Sequence, residues 1–348
     1  MKNIINKLII ENEKQIKHRF TNNLPFKHVV IENFFKPEFC EKLLEEFPSF
    51  DDKLAVNENG DVGLKAVHEH VSDISNTYKQ LDELVKNKEF ISLVESMTGI
   101  KSLKYDPHYF GGGTHNNLHG QDLDPHVDFT HHPISGQHRR MNLIVYLNKE
   151  WKSEWGGNIE LHKNPRLEPD QDEIISVEPI FNRAVIFETN NLSWHGFPRI
   201  NLPEDKKDLS RKSFALYYYT DSRDEQVKPH STIYVERHLP RKIKTGKILS
   251  ADDLQEIKIL LARRDQHLER LYSYITGMTE EIAGLKYQLL QKGQNYSAKG
   301  KGEYLNTPDP VHASYDESRL LARIYELENS RSWKITAPLR KLMNLFKK

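Results

Sequence analysis

The chain has 348 residues, 50 Lys and Arg against 50 Asp and Glu, and one cysteine, Cys40. That length holds one large domain and a second region, while balanced charge excludes a global field that would recruit nucleic acid. The lone cysteine excludes an intramolecular disulfide framework and every multi-cysteine zinc or iron–sulfur site, which fits a reducing, cytoplasmic compartment.

The opening MKNIINKLII resembles a targeting segment only briefly. Asn6 and Lys7 interrupt the apolar run, and Glu11 to Lys17 follows where a small-residue cleavage site should be, so residues 1–23 read as an amphipathic helix. No stretch reaches the roughly 18 to 20 apolar residues of a membrane span. Lys27 to Glu32 reads as a strand, followed by a helix with Phe39, Leu43, Leu44 and Phe47 on one face. Asn57 to Gly63 reads as a polar loop, and Asp73 to Thr98 as helical, ended by Gly99.

From Ser102 the texture changes to short β-like runs between Gly, Pro and Asn clusters. Eight strands are expected: Leu103 to Tyr109, His126 to Thr130, Met141 to Asn148, Asn158 to Lys163, Ile174 to Glu178, Arg183 to Glu188, Ser193 to Pro198 and Ser213 to Thr220. With helices in front, they predict a mainly β, jelly-roll or cupin-like domain over 24–240. Gly111-Gly112-Gly113 lacks the Lys-Ser/Thr ending of a phosphate loop and reads as a lid or loop. Period two in Met141 to Asn148 puts Asn142, Ile144 and Tyr146 on one face. Such a polar pair predicts a lined cavity, the alternative being an amphipathic core edge.

The chemistry concentrates in Asp124 to Thr130, DPHVDFT. On a strand, His126 and Asp128 share a face. An imidazole and a carboxylate so placed are two parts of the 2-His-1-carboxylate triad, which holds non-haem Fe(II) and leaves open coordination positions. His195, beyond the strand Arg183 to Glu188, is the candidate third ligand. By itself the triplet is a weak signal, because a strand histidine is more often a hydrogen-bonded bystander than a ligand. Oxygenation with a keto-acid co-substrate also needs a cation for the distal carboxylate. Arg211 opens the last strand, where its planar fork can hold a carboxylate bidentately, and Ser213 lies two residues on, on the same face. An ion pair with Asp205 or Asp208 is the competing role for Arg211.

Lys242, Lys244 and Lys247 form a basic linker, and Ser250 with Asp253 three positions later marks a helix start. From there Leu254, Leu261, Leu268, Ile275, Ile282 and Leu289 occupy one heptad position and Ile257, Arg264, Leu271, Met278 and Leu285 the other. The seam is apolar except at Arg264, which predicts an α-helical coiled coil within 241–292 and a homo-oligomer. A long helix packed on its own subunit is the alternative. Residues 293–316 read as a linker and Glu317 to Asn329 as a short helix. Ser330 to Lys348 carries basic but no acidic residues, and Leu339, Leu342, Met343 and Phe346 share a helical face. It reads as a helix that docks on a membrane or a protein complex, against a solvated tail.

The order PFKHVVIENFF, GQDLDPHVD, HRRMNLIVYLNKEW, WGGNIEL, NRAVIFETNNLSWHGFPRI and SRKSFALYYYT resembles the Fe(II)/2-oxoglutarate oxygenases of the prolyl-hydroxylase type, over about Pro25 to Thr220. The resemblance implies a double-stranded β-helix, with His126, Asp128 and His195 as iron ligands, Arg211 as partner of the 2-oxoglutarate distal carboxylate, and O2 as the second co-substrate. Tyr146 matches a tyrosine that helps hold the co-substrate, and Asn142 and Ser213 join it as candidates. Asn117 and Leu123 stand where many relatives have tyrosines, and an insertion around Pro203 to Asp208 lengthens the span from His195 to Arg211. Halogenating relatives lack the carboxylate, so Asp128 implies hydroxylation. SRSWKITAPLR resembles a tail segment of bacterial surface-polysaccharide enzymes. It implies a small-molecule substrate, a sugar, nucleotide-sugar or glycan precursor, and a site at the inner face of the cytoplasmic membrane. The alternatives are a prolyl or other amino-acid side chain as substrate, and an inactive oxygenase-fold scaffold in a polysaccharide-assembly complex.

Overall fold

The computed structural model describes residues 1–51, 66–224, 227–239, 243–297 and 323. The elements run α1 (Lys7–Glu11), α2 (Glu13–Asn22), β1 (His28–Ile31), α3 (Pro37–Glu45), β2 (Ala66–His68), α4 (Val71–Ile74), α5 (Asn76–Val85), α6 (Lys88–Thr98), β3 (Lys104–Tyr105), β4 (Gly113–Asn117) and β5 (Leu123–Val127). There follow β6 (His138–Tyr146), β7 (Ile159–His162), β8 (Ile174–Val177), β9 (Ala184–Glu188), β10 (Trp194–Phe197), β11 (Arg211–Thr220), β12 (Ile233–Tyr234) and α7 (Ala251–Ser297).

Two antiparallel sheets build the first compact unit, Met1–His238. The larger has the order β1-β9-β6-β11-β4-β2, with β3 also pairing β11, and the smaller β12-β5-β10-β7-β8. Alternation along β6 divides its residues between two environments. Met141, Leu143, Val145 and Leu147 join the main core, with Ala184 and Ile186 of β9 and Phe214, Leu216 and Tyr218 of β11. Helical residues Phe20, Leu43, Leu81, Phe90 and Val94 complete that core. Each fully buried side chain of this kind contributes about 1.5–3 kcal/mol, so this layer carries the stability of the unit. The other face of β6, with Asn142, Ile144 and Tyr146, is the polar face expected from the sequence, and it looks onto the site.

The expected helix over 73–98 is three helices. Ser75 interrupts it with an extended backbone and its Oγ accepts from Tyr78 N, and Asn87 does the same for α6 by accepting from Glu89 N. These local caps compete with helix continuation. Asn12 likewise separates α1 from α2 within the expected N-terminal helix. Three strands were not expected: β2, β4 and β12. Gly113, read as part of a lid, starts β4 with φ +89, and a Cβ there would lie 2.1 Å from the His68 carbonyl oxygen of β2. The insertion after His195 is a connection between β10 and β11, with one turn of 3-10 helix at Glu204–Lys206. Of the linker expected at 293–316, residues 293–297 instead continue α7, because the helix runs on to Ser297, and the remainder lies outside the described residues, as do the polar loop expected at 57–63 and the C-terminal helix and tail, Arg323 apart.

The second unit, Leu239–Lys348, contains α7. Its start is a reciprocal cap: Asp253 N donates to Ser250 Oγ at 3.1 Å and Ser250 N to Asp253 Oδ2 at 3.1 Å. The seam has two parts. Leu254, Leu261 and Leu268 are 47, 53 and 49% exposed, whereas Ile275, Met278 and Ile282 are buried, with Leu271 and Leu285 packed on them. Beside the buried part, Arg323 Nε donates to Glu281 Oε1 at 2.9 Å. No helix among the described residues is long and apolar enough to cross a membrane.

Candidate active site

His126 and His195 face each other across adjacent strands, in direct register between β5 and β10. Directly opposed residues of an antiparallel pair point to the same side, so both imidazoles enter the space between the sheets, with ring centroids 4.3 Å apart. Asp128 lies one residue beyond the end of β5 rather than within a strand reaching Thr130. It still closes the triangle: Oδ1 is 3.7 Å from His126 Nε2 and Oδ2 is 3.7 Å from His195 Nε2. Among the described residues this is the one cluster of His, Cys, Asp and Glu whose ligand atoms converge, all within 4.8 Å.

The chemistry of this donor set fits a divalent ion. The Nδ1 atoms of His126 and His195 lie 2.9 Å from the carbonyl oxygens of Asp124 and Ser193. A carbonyl only accepts, so each Nδ1 carries the proton and each Nε2 presents a lone pair to the ion. Burial pushes the His195 imidazole below its ordinary value, despite the opposing pull of Asp128, and favours the neutral, ligating form. Burial pushes the Asp128 carboxyl up, but Arg139, His195, His126 and the Asn142 amide together outweigh it and hold the group well below the usual carboxylate range.

Arg139 is the functional residue that sequence reading missed. Its Nη2 is 3.2 Å from Asp128 Oδ2, its Nε and Nη2 donate to Asn142 Oδ1 at 3.2 and 3.0 Å, and Asn142 Nδ2 donates to Asp128 Oδ2 at 2.8 Å. The guanidinium lies 3.6 Å from the Tyr217 ring centroid and 4.5 Å from that of Phe129. Simple alternation back from Asn142 puts Arg140, not Arg139, on this face. An irregularity in the β6–β11 register between Tyr218 and Tyr219 shifts the parity by one, pairing Arg139 with Tyr219. Asn142, a candidate for the co-substrate, bonds the Asp128 carboxylate and the Arg139 guanidinium in this structure.

The remaining candidates gather along β11 and its neighbour β6. Arg211 is 5% exposed, donates from Nε to Gly157 O at 2.6 Å and from Nη2 to Tyr146 Oη at 3.2 Å, and stacks 4.2 Å from the Phe197 centroid. Among the described residues no carboxylate pairs with it, so the ion pair with Asp205 or Asp208 is not what it makes. Ser213 is opposite Tyr146 on one side and His115 on the other, and its buried Oγ has no hydrogen-bond partner among the described residues. A buried cation without a counter-ion beside an unanswered hydroxyl fits a carboxylate ligand. Of the two positions lacking tyrosine, Asn117 lies opposite Arg211 on β4, whereas Leu123 packs with Phe197 and Trp151.

Residues 112–219 match the model of the 2OG-Fe(II) oxygenase superfamily. Over 211 residues the chain is 26% identical to the prolyl 3-hydroxylase OGFOD1 of Mus musculus, a match covering 57% of this chain and 33% of that relative. The match thus spans about a third of the curated relative's length. Similar solved structures include a Trichoplax adhaerens prolyl hydroxylase in complex with a hypoxia-inducible-factor peptide fragment, at 15% identity and TM-score 0.41, over 62% of this chain and 93% of that one. Another is HygX of Streptomyces hygroscopicus with nickel, 2-oxoglutarate and hygromycin B bound, at 14% identity and TM-score 0.38, over 58% and 87%. Residues 112–219 thus carry the likeness to a 2OG-Fe(II) oxygenase domain, a family whose chemistry requires Fe(II), 2-oxoglutarate and O2.

Proposed function

We propose that this chain hydroxylates an unactivated carbon–hydrogen bond of a small saturated-ring substrate, and that the convergence of His126, Asp128 and His195, with a buried Arg211 that no carboxylate pairs among the described residues, carries the reading. When bound, iron with 2-oxoglutarate and O2 supplies the oxidising power, and succinate and carbon dioxide leave as co-products. The chain's own residues do the rest. His126, Asp128 and His195 would hold the ion, and Arg139 and Asn142 fix the Asp128 carboxylate through its Oδ2. Arg211, Tyr146 and Ser213 receive the distal carboxylate of the co-substrate. Every member of the set but Asp128, whose side chain is 9% exposed, is buried, and keeping water away strengthens each charge interaction.

For the substrate, a sugar, nucleotide-sugar or glycan precursor is supported by the terminal SRSWKITAPLR, which lies outside the described residues. A prolyl side chain is supported by the printed name of the curated relative. The two are separated by measuring succinate formation with prolyl peptides and with nucleotide-sugars side by side. Replacing His126, Asp128 or His195 with Ala removes turnover on this reading. Full 2-oxoglutarate decarboxylation in all three variants would overturn the ligand assignment, and none in the unaltered chain with Fe(II) would return it to the scaffold reading.

The exposed seam of α7 at Leu254, Leu261 and Leu268 supports assembly of two or more copies through a coiled coil. The basic tail would then gather at the inner face of the cytoplasmic membrane or on a protein complex, each tail adding to the others through effective concentration.

A further inference from the structure

The edge of the smaller sheet is closed by a segment that follows the last long strand. His230 O accepts from Thr130 N at 3.1 Å, His230 N donates to Thr130 Oγ1 at 3.0 Å, and Val235 N donates to Pro125 O at 2.8 Å. Between them Ile233 pairs with Val127 and Tyr234 with His126. At one end His230 Nε2 lies 2.8 Å from Asn191 Oδ1, in the turn before His195, and at the other Arg237 Nε is 3.3 Å from Asp124 Oδ1. The strap answers the backbone groups of β5 on that side. A peptide therefore cannot add there as a further strand, and whatever enters must be recognised by side chains.

One of those side chains is fixed by register. Tyr234 is opposite His126, which is opposite His195, so all three lie in one row on one face. The rings follow each other: Tyr234 to His126 at 5.1 Å, His126 to His195 at 4.3 Å, and His195 to Phe187 at 4.7 Å. Phe187 ends the row completely buried, whereas Tyr234 ends it 40% exposed. An aromatic ring kept beside a metal ligand by strand pairing, with part of its surface open to solvent, offers an apolar face at low entropic cost.

We propose that Tyr234 is the aromatic wall of the substrate subsite and takes the carbon–hydrogen face of a saturated ring, laying it beside His126. The proposal deepens the functional reading above and rests on it. Pyrrolidine and pyranose rings share this chemistry, and the experiment separates them.

The full chain is loaded with a redox-inert divalent ion and 2-oxoglutarate, and saturation-transfer NMR is recorded with N-acetylprolinamide and with methyl glucopyranoside. One ring probe binds the unaltered chain, Tyr234→Ala weakens it roughly 3- to 10-fold, and Tyr234→Phe retains it. Metal stoichiometry and 2-oxoglutarate affinity stay unchanged in both variants, which separates a substrate wall from mere support of His126. Binding of neither probe, or equal binding by Tyr234→Ala, overturns the proposal. Failure of the unaltered chain to bind 2-oxoglutarate would instead overturn the oxygenase reading, because Tyr234 is not among the residues assigned to that pocket.

Discussion

Arg139 and Asp128 form an ion pair across the connection between β5 and β6, with Nη2 3.2 Å from Oδ2 and the two side chains 2% and 9% exposed. Removing the cation leaves a buried carboxylate without its main partner, which costs about 3–5 kcal/mol in comparable pairs. A bound divalent ion supplies positive charge at the same carboxylate. Arg139→Met is therefore expected to lower the melting temperature of the metal-free protein strongly and that of the metal-loaded protein less. Equal losses in both forms would mean that the pair acts only through packing on Tyr217 and Phe129.

Arg211→Ala removes the charge-assisted contact expected for the co-substrate. Such a bond contributes about 1.5–3 kcal/mol, or roughly one to two decades in affinity. The 2-oxoglutarate requirement should rise by that factor while metal affinity stays nearly constant. An unchanged requirement would transfer the role to Arg199 or Lys212.

Gly196 stands next to His195 where β10 meets β5, and a Cβ there would lie 2.6 Å from the Leu123 carbonyl oxygen. Backbone cannot yield as a flexible side chain would. Gly196→Ala should push the two strands apart, destabilise the protein by about 1–3 kcal/mol, and weaken metal binding by separating His126 from His195. Isothermal titration with a divalent ion checks this without turnover.

Burial holds the His28 imidazole below its ordinary 6.5, against the opposing effect of the Phe26 carbonyl at 2.8 Å. Below pH about 6.5 the unfolded chain binds a proton there that the folded chain does not, so stability falls as pH falls through that window. His28→Gln should flatten the decline between pH 6.5 and 5 in urea titrations. Parallel slopes in the two proteins would assign the acid sensitivity to other groups.

Ending the chain after Arg241 retains the strap and should leave a folded oxygenase unit with fewer subunits per particle than the full chain. Light scattering reads the difference. The same number of subunits in both would mean that α7 packs within its own subunit.

The convergence of His126, Asp128 and His195 was legible in the sequence because its spacing survives small errors in element boundaries: His126 and Asp128 meet even though β5 stops at Val127. Arg211, Ser213 and Tyr146 were legible through strand parity, which β11 and β6 keep along that stretch. Arg139 was not, because parity is reset by the irregularity opposite Tyr218 and Tyr219, and a register shift is a property of two strands together. The strand at Gly113 was hidden for a related reason. A run of three glycines gives no alternation to read, and its conformation is chosen by the approach of His68. Tyr234 lies in a two-residue strand whose only reason to be extended is the free edge of β5.

Because β6 supplies the protein core with Met141, Leu143 and Val145 and the reaction pocket with Asn142, Ile144 and Tyr146, the strand tolerates replacement far better than it tolerates a change of length. Deleting one residue from its middle would turn hydrocarbon toward the ion and amide and phenol toward the helices, inverting both environments at once. Variation in this region should therefore gather in the turn Ile134 to Gln137, where an insertion leaves the strand's phase intact.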